Sequence, residues 1–174
     1  MVKIGTHDGV FHCDEALACF LLKQLPTYAD AVIVRSRNPD ILNDCDIVVD
    51  VCGVYDKAKH RYDHHQRDFN ETMSSIQPAL KKKFDIKYYW LQNIYIFLYN
   101  FHKNKNHCYR LSSAGLIYAH FGEEIIKSKS KLPDEGVKVV YEKIYEYFIQ
   151  EIDAIDNGIM ICDGEPKYRI STNL

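Results

Sequence analysis

VKIGTHDGVFHCDEALACFLLKQLP, residues 2–26, carries the decision about the fold. Val2–Thr6 reads as a short strand, and Thr6–Cys13 as a loop that Gly9 lets bend sharply. Asp14–Leu25 reads as a helix, because Asp14 can cap its first turn and Pro26 stops it. Positions 16–22 are apolar all round, which suits a buried helix. Working outward, Ala31–Arg35 (AVIVR) is a second strand, and Asn38-Pro39 opens a short helical turn, since proline suits the first helical position. Asp46–Val51 (DIVVDV) is a third strand, whose continuous apolar run fits a parallel strand covered on both faces. Strand, helix, strand, turn, strand begins an α/β fold: a doubly wound, mainly parallel sheet with helices on both faces. Such sheets bind ligands beyond the carboxyl ends of their strands. His7 follows the first strand and Asp50 closes the third.

Further along, Ser112 to about Ile126 reads as a helix capped by Ser112 or Ser113. Another starts after Pro133 with Asp134 as its cap, and its apolar positions 137, 140, 141, 144, 148, 152 and 155 follow the helical period. Gly158 is a suitable stop. Residues 84–101, FDIKYYWLQNIYIFLYNF, stand apart in composition. Their apolar runs are far shorter than the roughly 20 residues a membrane span requires. They read as part of an insertion at about 76–110 within one domain covering 1–174.

The formal net charge of -2 excludes a strong basic field that would draw the whole chain onto nucleic acid or an anionic membrane. Any phosphate affinity must be local. Six cysteines occur without a CxxC pair or zinc-finger spacing, so the expectation is reduced thiols rather than a disulfide framework. No leader is visible ahead of the first strand, which points to the cytoplasm or nucleus.

Four clusters carry chemistry. The first, His7-Asp8-Gly9-Val10-Phe11-His12-Cys13-Asp14-Glu15, places two imidazoles and up to three acidic ligands between a strand and a helix. Such a mixed set suits manganese, iron or zinc. Its plainer reading is a helix cap with two solvated histidines. The second is Asp50, at a ligand-binding sheet edge or simply in a turn. The third is Asp63-His64-His65. On an extended segment the two imidazoles point to opposite sides, so one can share a ligand set while the other faces substrate. Asp63 can orient an imidazole through its second nitrogen. The fourth is Asp153 and Asp156, three apart on one helix face, which by itself would ordinarily be a solvated acidic face. Taken together, His7, His12, Asp14, Asp50, His64 and Asp156 supply the six or so ligands, one of them bridging, that paired metals need.

Five motifs resemble one known family: THDGVFHCDEALA (6–18), DIVVDVCGVYD (46–56), RYDHHQRDF (61–69), LSSAGLIYAHFG (111–122) and EIDAIDNGI (151–159). They are similar to the melanocyte-proliferating-gene exonuclease family, within the DHH phosphoesterase superfamily that includes RecJ-type nucleases and manganese pyrophosphatases. The resemblance implies a DHH-type N-terminal domain and metal-dependent phosphodiester hydrolysis with two Mn2+ or Mg2+ ions. It implies RNA as substrate, a 3'–5' exonuclease, and a mitochondrial location as a further possibility. By the same match His64 is a metal ligand, His65 a phosphate binder, Asp50 the bridging ligand, and Asp63 and His65 catalytic. The first motif departs from the superfamily pattern, with His12 where an aspartate is usual. Members of the family continue well beyond residue 174, so the second, closing domain is expected to be absent here. Lys57, Lys59 and Arg61 are candidates for holding flanking phosphates, or form a solvated basic turn. Tyr55, Tyr62 and Phe69 are candidate base-stacking rings, or ordinary core aromatics. Competing expectations are a catalytically inert metal-binding domain, or a hydrolase of pyrophosphate, a cyclic dinucleotide or an amide bond.

Overall fold

The computed structural model describes residues 1–78 and 109–160; most of the expected insertion at 76–110 lies outside them. Five strands form one sheet: β1 (Lys3–Thr6), β2 (Val32–Arg35), β3 (Ile47–Val49), β4 (Tyr55–Asp56) and β5 (Arg61–Tyr62). Their order is β2-β1-β3-β5-β4. β2, β1, β3 and β5 run parallel, with Ile4 beside both Ile33 and Ile47, and Val49 beside Tyr62. Among the described strands only β4 is antiparallel, pairing Tyr55 with Tyr62. The α/β class and the parallel sheet read from the sequence are therefore what the chain adopts.

Parallel pairing has a direct consequence for function. The carboxyl ends of β1, β3 and β5 lie side by side, and the chain leaves them as His7, Asp50 and Asp63-His64.

The helices are α1 (Cys13–Leu22), α2 (Pro39–Asn43), α3 (Met73–Ile76), α4 (Ser113–Lys129), α5 (Asp134–Ile144) and α6 (Gln150–Asp156). Strand alternation sends Ile47 and Val49 to one face and Val48 to the other. On the first face Ile4, Ile47, Val49 and Tyr62 meet Leu22 of α1, Leu116 and Ile117 of α4, and Val137 and Tyr141 of α5. On the second, the short α2 brings Leu42 against Val48, with Cys45 beside them. Helices thus lie on both faces, but very unequally. Cys13, Cys19, Cys45 and Cys52 are free thiols. Among the described residues no helix is long and apolar enough to cross a membrane.

Three boundaries differ from the sequence reading. α1 begins one residue early and ends at Leu22, with a separate 3-10 turn at Pro26–Tyr28. Its N-cap is His12, not Asp14, because Glu15 reaches back to accept from the His12 amide at 2.8 and 2.7 Å. Asp14 is thereby freed to point elsewhere. α5 starts at Asp134 with Pro133, not Asp134, in the cap position. Between α5 and α6 a π-helical turn spans Tyr145–Ile149, with the Gln150 amide donating to the Tyr145 carbonyl. That wider turn shifts the buried stripe to 137, 141, 145 and 149, in place of 144 and 148, and leaves Ile155 47% exposed.

Gly122 marks a close apolar contact between α4 and α5. Tyr118 and Tyr141 stack there with ring centroids 4.8 Å apart and planes 9° apart. A Cβ on Gly122 would sit 2.7 Å from Tyr141 and 2.9 Å from Tyr118. Both rings are buried and hydrogen-bonded through their hydroxyls, so neither has room to yield. Gly122→Ala should destabilise the fold by about 1–3 kcal/mol, read as a lower urea midpoint at unchanged slope. An unshifted midpoint would show that this helix pair is looser than its packing implies.

Candidate metal centre

The site is assembled from three strand ends and two helix ends. His7 follows β1, Asp50 follows β3 and His64 follows β5, while His12, Asp14 and Glu15 form the start of α1. Asp156 ends α6. His7, Asp14, Glu15, Asp50 and His64 are all buried.

Asp50 turns sharply out of its strand. Its φ is 56°, and Cys52 follows at φ 95°, both in the left-handed region that non-glycine residues seldom adopt. Two sets of bonds hold this bend. The Asp50 amide donates to the Tyr62 carbonyl at 3.2 Å, and the Asp63 amide to the Val54 carbonyl at 3.1 Å. Asp63 also accepts from the Gly53 amide through Oδ2. The strain therefore sits where it aims a carboxylate between neighbouring strands.

Asp50 offers one oxygen to each side. Oδ2 lies 3.4 Å from His7 Nε2, which is itself 3.6 Å from Glu15 Oε1. Oδ1 lies 3.4 Å from His64 Nε2 and 3.5 Å from His65 Nδ1. His64 Nε2 is also 3.2 Å from Asp156 Oδ2 and 3.8 Å from Asp14 Oδ2. Three overlapping donor sets result: His7, His12, Glu15 and Asp50; Asp50, His64 and His65; and Asp14, His64 and Asp156. Within each set the donor atoms lie within 4.8 Å of one another.

Burial and mutual repulsion dominate the electrostatics. Burial, then the charges of Asp50 and Asp156, push the Asp14 carboxyl well above its ordinary range. Burial raises Asp156 too, with Asp50 adding to the rise and His64 opposing it. His7 Nε2, Asp50 Oδ2, His64 Nε2 and Asp156 Oδ2 are buried and have no hydrogen-bond partner. Buried polar atoms are ordinarily paired, so this cluster of orphaned donors and acceptors is unusual. Adjacent donors on an octahedral cation with bonds of 2.0–2.1 Å lie about 3 Å apart, close to the spacings seen here. The residues present therefore fit divalent cations. Imidazoles mixed with carboxylates suit manganese or zinc better than magnesium alone.

A second layer fixes the first. Asp63 Oδ1 accepts from His65 Nδ1 at 2.6 Å and from the His65 amide at 3.1 Å. That bond raises the His65 imidazole to about 9. Although burial pushes the Asp63 carboxyl up, the bonds from His65 and Gly53 bring it below its ordinary value. The His65 ring is 58% exposed, so it faces outward from the cluster.

Asp153 and Asp156 divide the work. Asp153 accepts from the Ser112 amide at 2.9 Å and the Ser112 hydroxyl at 2.8 Å, pinning the start of α4 to α6. Burial raises it to about 7 despite those bonds. Asp156 joins the donor cluster instead.

The structure thus brings together His7, His12, Asp14, Asp50, His64 and Asp156, with Asp63 and His65 at their edge. It does not bring Lys57 and Arg61 to them. The Arg61 guanidinium donates to the carbonyls of Cys45 at 3.2 Å and Lys59 at 3.0 Å. Lys57 stands on an exposed 3-10 turn, Lys57–Lys59. Tyr62 and Phe69 belong to the core, and Tyr55 packs against it with its hydroxyl 2.7 Å from His120 Nε2. Two contributors were missing from the ligand set read from the sequence. Glu15 closes the His7 side, and its signal was its place three residues after His12. The Ser113 hydroxyl donates to Asp50 Oδ1 at 3.2 Å, and no sequence pattern marks it.

A family model described as an uncharacterised protein family (UPF0160), MYG1_exonuc, matches residues 3–174. Relatives include the MYG1 exonucleases of Homo sapiens, 49% identical over 99% of this chain, and Mus musculus, 47% identical over 99%. A MYG1 protein of Caenorhabditis elegans is 45% identical over 98% of the chain. The chain covers 40% of the human and mouse sequences and 43% of the nematode one. No solved structure matches it significantly. With the family model spanning nearly every residue, the chain belongs to the MYG1 exonuclease family.

Proposed function

We propose that this chain forms the metal-binding core of a phosphodiester hydrolase, a 3'–5' exoribonuclease acting through two divalent cations, Mn2+ or Mg2+. The observation that carries the reading is Asp50, which turns one oxygen to the His7–Glu15 side and the other to the His64 side. The relatives named exonucleases support hydrolysis of nucleic acid. On one side His7, His12, Glu15 and Asp50 would hold a cation; on the other, Asp14, His64 and Asp156 would do so, with Asp50 Oδ1 3.4 Å from His64 Nε2.

Cations bound there would acidify a water and offset charge on the phosphoryl oxygens. The chain's own groups do the positioning. Asp63 fixes the His65 ring, which presents its outer edge as a hydrogen-bond donor to a non-bridging phosphate oxygen. The tight backbone bend holds Asp50 between the two sides before any ligand arrives, so little reorganisation is needed at the moment of reaction. Overall, the water oxygen bonds to phosphorus, the bond to the 3'-oxygen of the preceding nucleotide breaks, and that oxygen takes up a proton. A terminal 5'-mononucleotide leaves.

A second reading keeps the cluster without the hydrolysis. The chain spans about two fifths of the length of its human and mouse relatives, and the second reading is a domain that binds metal without turnover. Calorimetry with Mn2+ beside an RNA assay separates the two readings.

With short RNA and Mn2+, His64→Ala should abolish nucleotide release, and undiminished release would rule the scheme out. Asp63→Asn keeps the shape but weakens the grip on His65 and the Gly53 turn. It should lower kcat about 10- to 100-fold, with the pH profile of kcat altered. A full-rate Asp63→Asn enzyme would remove His65 positioning from the mechanism.

Metal removal gives a third expectation. Asp14 and Asp156 have raised carboxyls, so the folded state binds protons more tightly than the unfolded chain. Their contribution to stability in the metal-free protein therefore falls as pH rises above about 4 towards neutrality. Cations require deprotonated ligands, so their stabilising effect should grow over the same range. Thermal melts in chelator and in Mn2+ should diverge with rising pH. Parallel curves would mean that no cation engages this cluster.

A further inference from the structure

We infer that Phe11 is a stacking platform for a nucleobase at the mouth of the metal centre; the inference rests on the phosphodiester reading above and names the part of the substrate that this edge grips. Phe11 is a large apolar side chain left 70% exposed, next to Val10 at 82%. It lies immediately before His12, which shares a donor set with His7, Glu15 and Asp50. The ring is therefore tethered one residue from the reacting end of the site.

The ring is also held. The Arg35 guanidinium lies over it, 3.6 Å from the centroid. Arg35 is itself anchored to the same loop, its Nε donating to the His7 carbonyl at 3.0 Å and its Nη2 to the Gly9 carbonyl at 2.6 Å. Both anchoring carbonyls belong to the loop that carries the donor residues, so ring and guanidinium are tied to the same loop as His7 and His12. A cation beneath an aromatic face fixes the ring without burying it. This leaves the opposite face to a planar partner.

Nucleobases fit that face on chemical grounds. Every base has a π-face, so stacking holds a nucleotide without reading its identity. An enzyme that removes successive nucleotides needs that tolerance. The aromatics that otherwise invite this role are occupied: Tyr62 and Phe69 are buried, and Tyr55 is bonded to His120. Backbone phosphates do not need an aromatic ring, so the prediction is specific to the base.

The test compares two single-stranded oligonucleotides with Mn2+, one ordinary and one abasic at its 3'-terminal residue. Wild type, Phe11→Ala and Phe11→Trp are assayed for the ratio of kcat/KM between them. Wild type should prefer the base-bearing end about tenfold or more. Phe11→Ala should bring the ratio close to one, and Phe11→Trp should restore it. A preference that survives in Phe11→Ala overturns the inference. So does a loss that falls equally on both oligonucleotides, which would assign the ring to packing against another part of the protein. If wild type cleaves neither, the hydrolytic reading fails, and fluorescence anisotropy with the same oligonucleotides and proteins decides the stacking question by ratio of Kd. Wild type that binds both equally, or neither, also sinks the proposal.

Discussion

Three acidic side chains, the buried Asp14 and Asp50 and the half-buried Asp156, are packed together, and the nearest basic groups they meet among the described residues are histidines. Burying even one ionised carboxylate without compensation costs several kcal/mol. Folding nevertheless brings all three to one place, from a helix start, a strand end and a helix end. Burial first, and then the charge of Asp50, hold the Asp14 and Asp156 carboxyls above their ordinary range. Divalent cations, as proposed above, would relieve this crowding. On this view the parallel sheet and the bend at Asp50 are the means of delivering ligands that would otherwise repel one another.

Holding such a cluster needs a scaffold tied together by hydrogen bonds of its own. Asp63 gives one oxygen to the Gly53 amide and the other to His65, tying the bend after β3 to the segment after β5. Asp153 does the same for two helices by gripping Ser112. Gly115 has no side chain for a reason visible here: a Cβ would stand 2.2 Å from Asp153 Oδ1. These carboxylates resemble the donor residues in sequence and differ from them in gripping backbone amides: Gly53 and His65 for Asp63, Ser112 for Asp153.

The strand ends were readable because parallel strands and their polar exits leave a local mark: an apolar run that stops at His7 or at Asp50. The gathering of His64 and Asp156 was also readable, from clustered polar residues and the helical spacing of the last acidic pair. What escaped the sequence were choices settled by tertiary context. Aspartate is a favoured N-cap, yet Glu15 took the capping role and left Asp14 to face Asp50. Arg61 looked suited to phosphate, but the carbonyls at the opposite end of β3 claimed its guanidinium. The stripe on the last helices was placed by a uniform 3.6 period, which cannot register a single wider turn.

That wider turn, Tyr145–Ile149, precedes Asp156 by only seven residues. Each residue in an α-helix advances the azimuth by about 100°. The π turn thus works as a phase setting: the upstream half seats Val137 and Tyr141 in the core, and the downstream half points Asp156 at His64. Insertions or deletions of one residue in this stretch would keep the helix and the core contacts of α5 while swinging the acid out of reach. Length along this segment therefore matters beside the identities of Asp153 and Asp156.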